Sequence, residues 1–270
     1  MFNKRHIVRT IAATASILAL SFTAACGSGQ STASNSTDSD DITQQTYKPG
    51  KLTIATGQPA YEPWVMNDKP ESGEGYEAAV AYAVADKLGF KKSDVVWTRT
   101  AFDTAIAPGA KDWDFNIQQF GITDERKKAV DFSSSYYNDS QSVVVKKDSK
   151  FANATKVSDL KDATVGVMVG TLAYDYAKAN IKDDIQTFND DAALAQALDA
   201  GQIDALVTST VECVYMVQSE QVKDAKVLGR LPDSEDKSGM GIVLPKDSKL
   251  TAAVTKAVDD LNADGTIKKL

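Results

Sequence analysis

The sequence DFNIQQFGITDER, residues 114–126, says most about the fold of this chain. It begins with a short strand-like run at residues 115–117, passes through a turn that contains a glycine and reaches a helix-start signal, Thr-Asp-Glu, at residues 123–125. Ligands of open α/β sheets lie beyond the carboxyl ends of the strands, where helix N-termini present unpaired amide groups. The stretch therefore predicts an α/β fold with a binding site at this turn.

Strand-like and helix-like runs alternate along the rest of the chain. We predict strands at residues 52–55, 95–97, 115–117, 143–145, 165–168, 205–207 and 242–244. Helical patterns cover residues 76–88 and 191–200, and a glycine follows each of them. Two more strand-to-helix junctions lie at residues 57–61 and 170–171. The alternation predicts parallel sheets, and the roughly 220 residues after residue 50 predict two lobes rather than one.

The first fifty residues carry export signals. Positive charges precede an apolar run that ends in small residues, so residues 1–25 are predicted to be a secretory signal peptide. Cys26 follows directly in a context that resembles a bacterial lipobox, which predicts a diacylated cysteine; ordinary cleavage nearby is the alternative. Residues 26–49 are polar and are predicted to form a flexible tether. We therefore expect a protein held by lipid on the extracytoplasmic face of the cell membrane.

Charge and rare residues exclude several classes of function. The formal net charge of −7 falls to about −10 once the signal peptide is removed, which argues against a nucleic-acid partner. The single histidine, His6, lies in the discarded segment, so no His-dependent nucleophile or His metal ligand is expected. No nucleotide-binding glycine motif occurs, and no cofactor is predicted. Cys213 lies in an apolar run and is predicted to be buried rather than reactive.

Several short motifs follow one another in a fixed order. They are PAYEPW at 59–64, GYE at 75–77, DKLGF at 86–90, the stretch at 114–126, VDFS at 130–133, GQIDA at 201–205 and LNADGT at 261–266. With these motifs, residues 51–270 resemble the family 3 amino-acid-binding proteins of bacterial ATP-driven (ABC) importers.

The resemblance implies a two-lobed α/β fold of the periplasmic-binding-protein type (type II), with two strand crossovers between the lobes near residues 141–145 and 239–242. Lobe 1 would comprise residues 50–141 plus 240–270, and lobe 2 residues 142–239. Hinge closure would enclose the ligand between them.

The function implied is that of a receptor without catalysis. It would capture an amino acid or related zwitterion in the interlobe cleft and deliver it to the permease subunits of an ABC importer. A ligand-binding sensor is an alternative. A dehydratase-like enzyme on the same fold is another, and it would need an acid and a base, for which Glu77 and Glu212 are the candidates.

Arg126 is the residue expected to bind the ligand carboxylate. A planar guanidinium can hold a carboxylate through two hydrogen bonds, which a lysine cannot do. The alternative is a solvated arginine in the Arg-Lys-Lys run. The resemblance also implies that Gly121, Thr123, Gly170 and Thr171 present turns and helix N-termini to the ligand. Helix capping by Thr123 and a simple turn at Gly170 are the alternatives.

The resemblance places aromatic side chains, Tyr61 and Phe102, above and below the ligand, although Phe102 would equally suit the core. Gln58 stands where members specific for basic amino acids carry an acid, which predicts a polar or neutral ligand. Gln118 and Gln119 stand where smaller residues are usual before the Thr123 turn, which predicts added amide hydrogen bonds in a narrower pocket. Ser209 stands where many members carry the aspartate that pairs with the ligand's ammonium group, and a serine cannot neutralise that charge.

Overall fold

The computed structural model describes residues 41–270. The predicted signal peptide, Cys26 and the tether up to residue 40 lie outside the described residues. Within residues 41–270, no helix combines the length and the apolar character that crossing a membrane requires.

Ten strands and seven α-helices, with short 3-10 turns between them, make up the described part of the chain. The strands are β1 (Leu52–Thr56), β2 (Val95–Arg99), β3 (Phe115–Asn116), β4 (Val130–Tyr137), β5 (Gln141–Lys146), β6 (Val165–Met168), β7 (Gln186–Phe188), β8 (Ala205–Ser209), β9 (Ala225–Arg230) and β10 (Met240–Pro245). The helices are α1 (Tyr76–Lys87), α2 (Phe102–Ile106), α3 (Leu172–Asn180), α4 (Asp191–Asp199), α5 (Thr210–Gln218), α6 (Thr251–Ala263) and α7 (Thr266–Lys269).

Two five-stranded sheets define the two lobes. The sheet of lobe 1 has the order β2-β1-β3-β10-β4, and that of lobe 2 the order β7-β6-β8-β5-β9. The chain passes from lobe 1 to lobe 2 through residues 138–140 and returns through residues 231–239; we call these the first and second connections. The predicted two-lobed architecture with two crossings is confirmed.

Each sheet is mixed rather than parallel. Strands β2, β1 and β3 pair in parallel, as do β7, β6 and β8. In contrast, β10 is antiparallel to β3 and β4, and β5 is antiparallel to β8 and β9. The prediction of parallel sheets is therefore wrong for these strands. The chain enters lobe 2 through β5 and re-enters lobe 1 through β10. Neither strand is preceded by the crossover helix that a parallel pairing needs.

Three strands were not predicted, and all three are edge strands: β4, β7 and β9. Edge strands have one neighbour and keep polar side chains toward solvent, which weakens their hydrophobic signal. In β4, the serines at 133–135 interrupt the apolar pattern. Central strands such as β1, buried at every position, were easier to predict.

The lobes have separate hydrophobic cores. In lobe 1, α1 packs its alanine and valine face, with Val80 and Val84 fully buried, against a core that includes Trp64, and α6 adds Val254. In lobe 2, two clusters cover the two faces of the sheet. Cys213 lies in one of them with no exposed surface, which confirms its prediction as a buried residue. Separate cores allow each lobe to move as a rigid body.

Candidate ligand-binding site

A cavity lies between the lobes at the carboxyl ends of four parallel strands. Residues that follow β1, β3, β6 and β8 all border it, together with both connections. Its volume is about 80 Å³, whereas a single buried water needs at least about 10–15 Å³. The space therefore suits a solute of several heavy atoms, and its place in the fold is the one that α/β sheets use for ligands.

Seven of the ten predicted binding residues border this cavity. They are Tyr61, Phe102, Gln119, Gly121, Arg126, Thr171 and Ser209. The other three, Gln58, Thr123 and Gly170, do not border it. Gln58 is exposed, and the Thr123 hydroxyl accepts a hydrogen bond from the Arg126 N–H at 3.1 Å. Thr123 thus makes a capping-type hydrogen bond just before the single 3-10 turn Arg126–Lys128, whose N-cap residue is Glu125.

Arg126 reaches both lobes from the edge of the cavity. Its Nη1 donates to the Gly121 carbonyl of lobe 1 at 2.7 Å, and its Nη2 donates to the Gly170 carbonyl of lobe 2 at 2.9 Å. The guanidinium lies 5.5 Å from the centre of the Phe102 ring. Burial lowers the pKa of Arg126, although Asp175 and Asp236 oppose this effect. The side chain is therefore not the solvated arginine considered as its alternative.

The aromatic residues contribute to the cavity in different ways. Phe102 stacks on the buried Phe120 with ring centres 4.6 Å apart, and it also borders the cavity. It therefore packs against the core and also faces the cavity, where its contact with a ligand stays a prediction. Tyr61 belongs to lobe 1, and its hydroxyl accepts a long hydrogen bond of 3.4 Å from the Ala192 N–H of lobe 2. Contacts of this kind between lobes describe a closed arrangement.

The N-terminus of α3 closes the cavity from lobe 2. Thr171 caps this helix by accepting from the Tyr174 N–H at 3.1 Å. Gly170 before it has a φ of 75°, which glycine adopts without strain. Leu172 packs so close to Gly121 of lobe 1 that a Cβ added to Gly121 would lie 2.5 Å from Leu172 Cδ1. The glycine thus permits the lobes to meet here.

A match to a known protein family identifies the chain to which this cavity belongs. Residues 52–270 match the model of the bacterial extracellular solute-binding proteins, family 3. The chain belongs to that family.

Relatives of this solute-binding protein include receptors for several amino acids. It is 28% identical over 239 residues to the L-arginine-binding protein of Pseudomonas aeruginosa, covering 83% of this chain and 86% of that one. It is 30% identical over 213 residues to the L-cystine-binding protein TcyJ of Escherichia coli, covering 78% and 77%. The solved structure of an ancestral arginine-binding protein bound to arginine has a TM-score of 0.69 at 31% identity, covering 82% of this chain and 96% of that one.

The family is one of binding proteins that act outside the cytoplasm and serve ABC importers. The solute-binding protein is accordingly a receptor for an amino acid.

Four carboxyl groups border the cavity, and the sequence identified only one of them as a candidate. They are Asp139, Asp191, Glu212 and Asp236, against a single positive charge at Arg126. The sequence suggests Glu212 as a candidate acid or base, or, like Glu77, as a source of the negative charge that Ser209 lacks. Asp139 and Asp236 lie in the two connections, within polar stretches that look like surface loops in the sequence. Only the fold brings them to the cavity.

Glu77 does not border the cavity but supports it. Its carboxylate accepts hydrogen bonds from the Gln119 backbone N–H at 2.7 Å, from the Gln119 amide and from the Tyr136 hydroxyl. Gln119 has a φ of 51°, which is unusual for a residue with a side chain. Glu77 thus holds a left-handed turn that leads into Gly121. Burial raises the pKa of Glu77 to about 7 despite these three donors.

We expect Glu77→Gln to make the stability of the solute-binding protein less dependent on pH. The folded protein holds a proton on Glu77 up to about pH 7, whereas the unfolded chain releases it near 4.5. The wild type should therefore lose stability as the pH rises through this window, by roughly 3 kcal/mol at about 1.4 kcal/mol per unit. Urea unfolding at pH 5, 6, 7 and 8 measures the loss, and equal losses in both proteins would contradict the prediction.

Proposed function

We propose that this protein captures one free amino acid as a zwitterion between its lobes and releases it to the permease subunits of an ABC importer. The observation that carries the proposal is the position of Arg126, which borders the cavity and donates to carbonyl groups of both lobes. No further hydrogen bond of this guanidinium is found within residues 41–270. A guanidinium carries five N–H groups, so donors remain for a ligand carboxylate.

The N-terminus of α3 supports the same assignment from lobe 2. Thr171, Leu172 and Ala173 border the cavity at the positive end of the helix, where amide groups favour an anion. A carboxylate held by Arg126 and by these amides would contact both lobes at once. Binding would then favour the closed arrangement, which is the form that a permease must distinguish from the empty receptor.

Two features point to different classes of ligand side chain. Gln58 predicts a polar or neutral side chain, but it lies away from the cavity. Asp191 and Glu212 border the cavity with 8% and 7% of their surface exposed, and they favour a basic side chain. A ligand screen must therefore include basic, polar and neutral amino acids.

Thermal unfolding with a panel of L-amino acids tests the proposal. Protein purified under denaturing conditions and refolded, so that carried-over ligand is removed, should melt at a higher temperature with a few members only. A ligand at 100 times its dissociation constant stabilises the folded state by about 2.7 kcal/mol. If no amino acid in the panel raises the melting temperature, the proposal is refuted.

A sensor protein would bind the amino acid equally well, but deletion of its gene would leave uptake intact. Uptake of the labelled amino acid by the deletion strain therefore separates a transport receptor from a sensor.

We also propose that the receptor is anchored through lipid on Cys26. Support comes from the small residues before Cys26 and the polar residues 27–40 after it. Cys26→Ser protein is expected to leave the membrane fraction or to stay uncleaved, whereas Cys213→Ser should remain in it, because Cys213 is buried in lobe 2. Fractionation with mass spectrometry of the N-terminus measures this. Equal release of both variants, fully processed, would refute the anchor.

A further inference from the structure

The two connections between the lobes each bring one carboxyl group to the cavity. Asp139 lies in the first connection and Asp236 in the second. The connections are joined directly, since the Asp236 N–H donates to the Asp139 carbonyl at 2.9 Å. Both residues also border a second, more open groove, so a role unrelated to the amino acid is the alternative that an experiment must separate.

Each of these carboxyl groups has one oxygen without a partner. Asp139 Oδ1 accepts from the Ser140 N–H at 2.7 Å, and Asp236 Oδ1 accepts from the N–H groups of Ser238 and Gly239 at 3.1 and 3.0 Å. The Oδ2 atoms of both residues are buried and receive no hydrogen bond of normal geometry from residues 41–270, although the Ser209 hydroxyl and the Val211 N–H lie near the Asp139 carboxyl group and lower its pKa. Buried acceptors of this kind are rare in folded proteins unless a ligand or water supplies the donor.

The other two carboxyl groups of the cavity, those of Asp191 and Glu212, already share a protein donor. The Thr208 hydroxyl lies 2.7 Å from Glu212 Oε2 and 3.5 Å from Asp191 Oδ1, so it joins the two side chains. Burial raises the pKa of both residues, with added repulsion from Glu212 at Asp191 and from Asp139 at Glu212. Burial also raises the pKa of Asp139 and Asp236, so the difference between the two pairs is the shared Thr208 hydroxyl. Asp139 and Asp236 have no such shared donor.

Buried acceptors without a partner are not confined to the two connections. Gln118 borders it with 9% of its surface exposed, and its Oε1 is buried without a partner. Arg126 supplies the single positive charge among the bordering residues, against four carboxyl groups. A ligand that brings N–H donors and positive charge of its own would balance this excess of acceptors. The ammonium group of an amino acid has three donors and one charge.

We propose that the ammonium group of the bound amino acid is held by Asp139 and Asp236, one carboxylate from each connection. The assignment rests on the proposed function. It gives the ammonium a counter-charge that Ser209 cannot supply, although the Ser209 hydroxyl lies close enough to Asp139 to lower its pKa in part. The ligand would then link the two connections, which are the segments that bend when the lobes close.

The test compares two probes in Asp139→Asn, Asp236→Asn and the double variant. One probe is the L-amino acid that gives the largest shift in the thermal panel, and the other is the 2-hydroxy acid with the same side chain, which keeps the carboxylate and lacks the ammonium. By calorimetry, each single variant should bind the amino acid at least about tenfold more weakly. Affinity for the hydroxy acid should stay within about threefold, so the preference for the amino acid nearly disappears in the double variant.

Asp233→Asn is the matched control, because Asp233 is exposed and lies in the second connection. It should change neither affinity. Equal losses for both probes would show a structural role and overturn the proposal, as would variants that bind the amino acid normally. If no amino acid shifts the midpoint, the proposed function fails and this inference with it. If an amino acid binds but its preference over the hydroxy acid survives in the double variant, only the inference fails.

Discussion

Arg126→Ala is expected to weaken binding of the amino acid by roughly 30-fold to several thousand-fold. Removing one partner of a buried, hydrogen-bonded charge pair costs about 2–5 kcal/mol, and about 1.4 kcal/mol corresponds to a factor of ten. The structure adds a second reason for a large effect. The same guanidinium donates to Gly121 of lobe 1 and Gly170 of lobe 2, so its loss also removes a contact that closes the receptor.

Two variants give this prediction its controls. Arg126→Lys keeps the positive charge, but a lysine ammonium lacks the planar set of donors that can reach two carbonyls and a carboxylate together. This variant should therefore bind the amino acid more tightly than Arg126→Ala and more weakly than the wild type. Lys128→Ala removes a positive charge from the same 3-10 turn, where Lys128 pairs with Glu125 at the surface, and should have little effect. Calorimetry with the amino acid from the thermal panel provides the measurement. Normal affinity of Arg126→Ala would refute the carboxylate assignment.

Gly121→Val is expected to prevent the lobes from closing while leaving each lobe folded. A Cβ at position 121 would lie 2.5 Å from Leu172 Cδ1 and 2.9 Å from Asp236 Oδ2, and valine adds two methyl groups beyond it. Such overpacking costs about 1–3 kcal/mol in the closed form, which corresponds to about 5-fold to 150-fold in affinity. The open form escapes the clash with Leu172, because Leu172 belongs to the other lobe.

Small-angle scattering follows closure directly for this variant. The wild type should become more compact when the amino acid is added, whereas Gly121→Val should not, and its thermal midpoint without ligand should stay close to that of the wild type. Leu172→Ala combined with Gly121→Val removes the facing side chain and should restore part of the closure. A Gly121→Val protein that contracts normally on binding would show that the lobes meet differently in solution.

The sequence predicted the architecture well where apolar patterns are strong. The central strands β1, β6 and β8 and the helix α1 correspond to predicted runs, because residues buried on both faces or along one stripe leave a clear pattern. The turn after β3 was identified as a binding site because strand ends and helix starts of α/β sheets meet there. Arg126 follows from the same argument, and it borders the cavity.

The remainder of the cavity depends on contacts between distant parts of the chain. Asp139 and Asp236 are far apart in sequence and become neighbours only through the hydrogen bond between the two connections. In the sequence, Ser209 suggests that the ammonium group of the ligand lacks a counter-charge. The fold, however, places the Asp139 carboxyl group close to Ser209. Gln58 shows the opposite case, since the resemblance implies a role near the ligand, whereas its exposed side chain does not border the cavity.

The position of β10 has a consequence for how the receptor is made. Lobe 2 is an uninterrupted segment, residues 141–230, and all its strands have been synthesised before β10 appears. Lobe 1 must wait, because β10 lies between β3 and β4 in its sheet and joins them. A stop codon after residue 239 would therefore leave lobe 2 complete. It would disrupt lobe 1, although most of lobe 1 is synthesised before lobe 2.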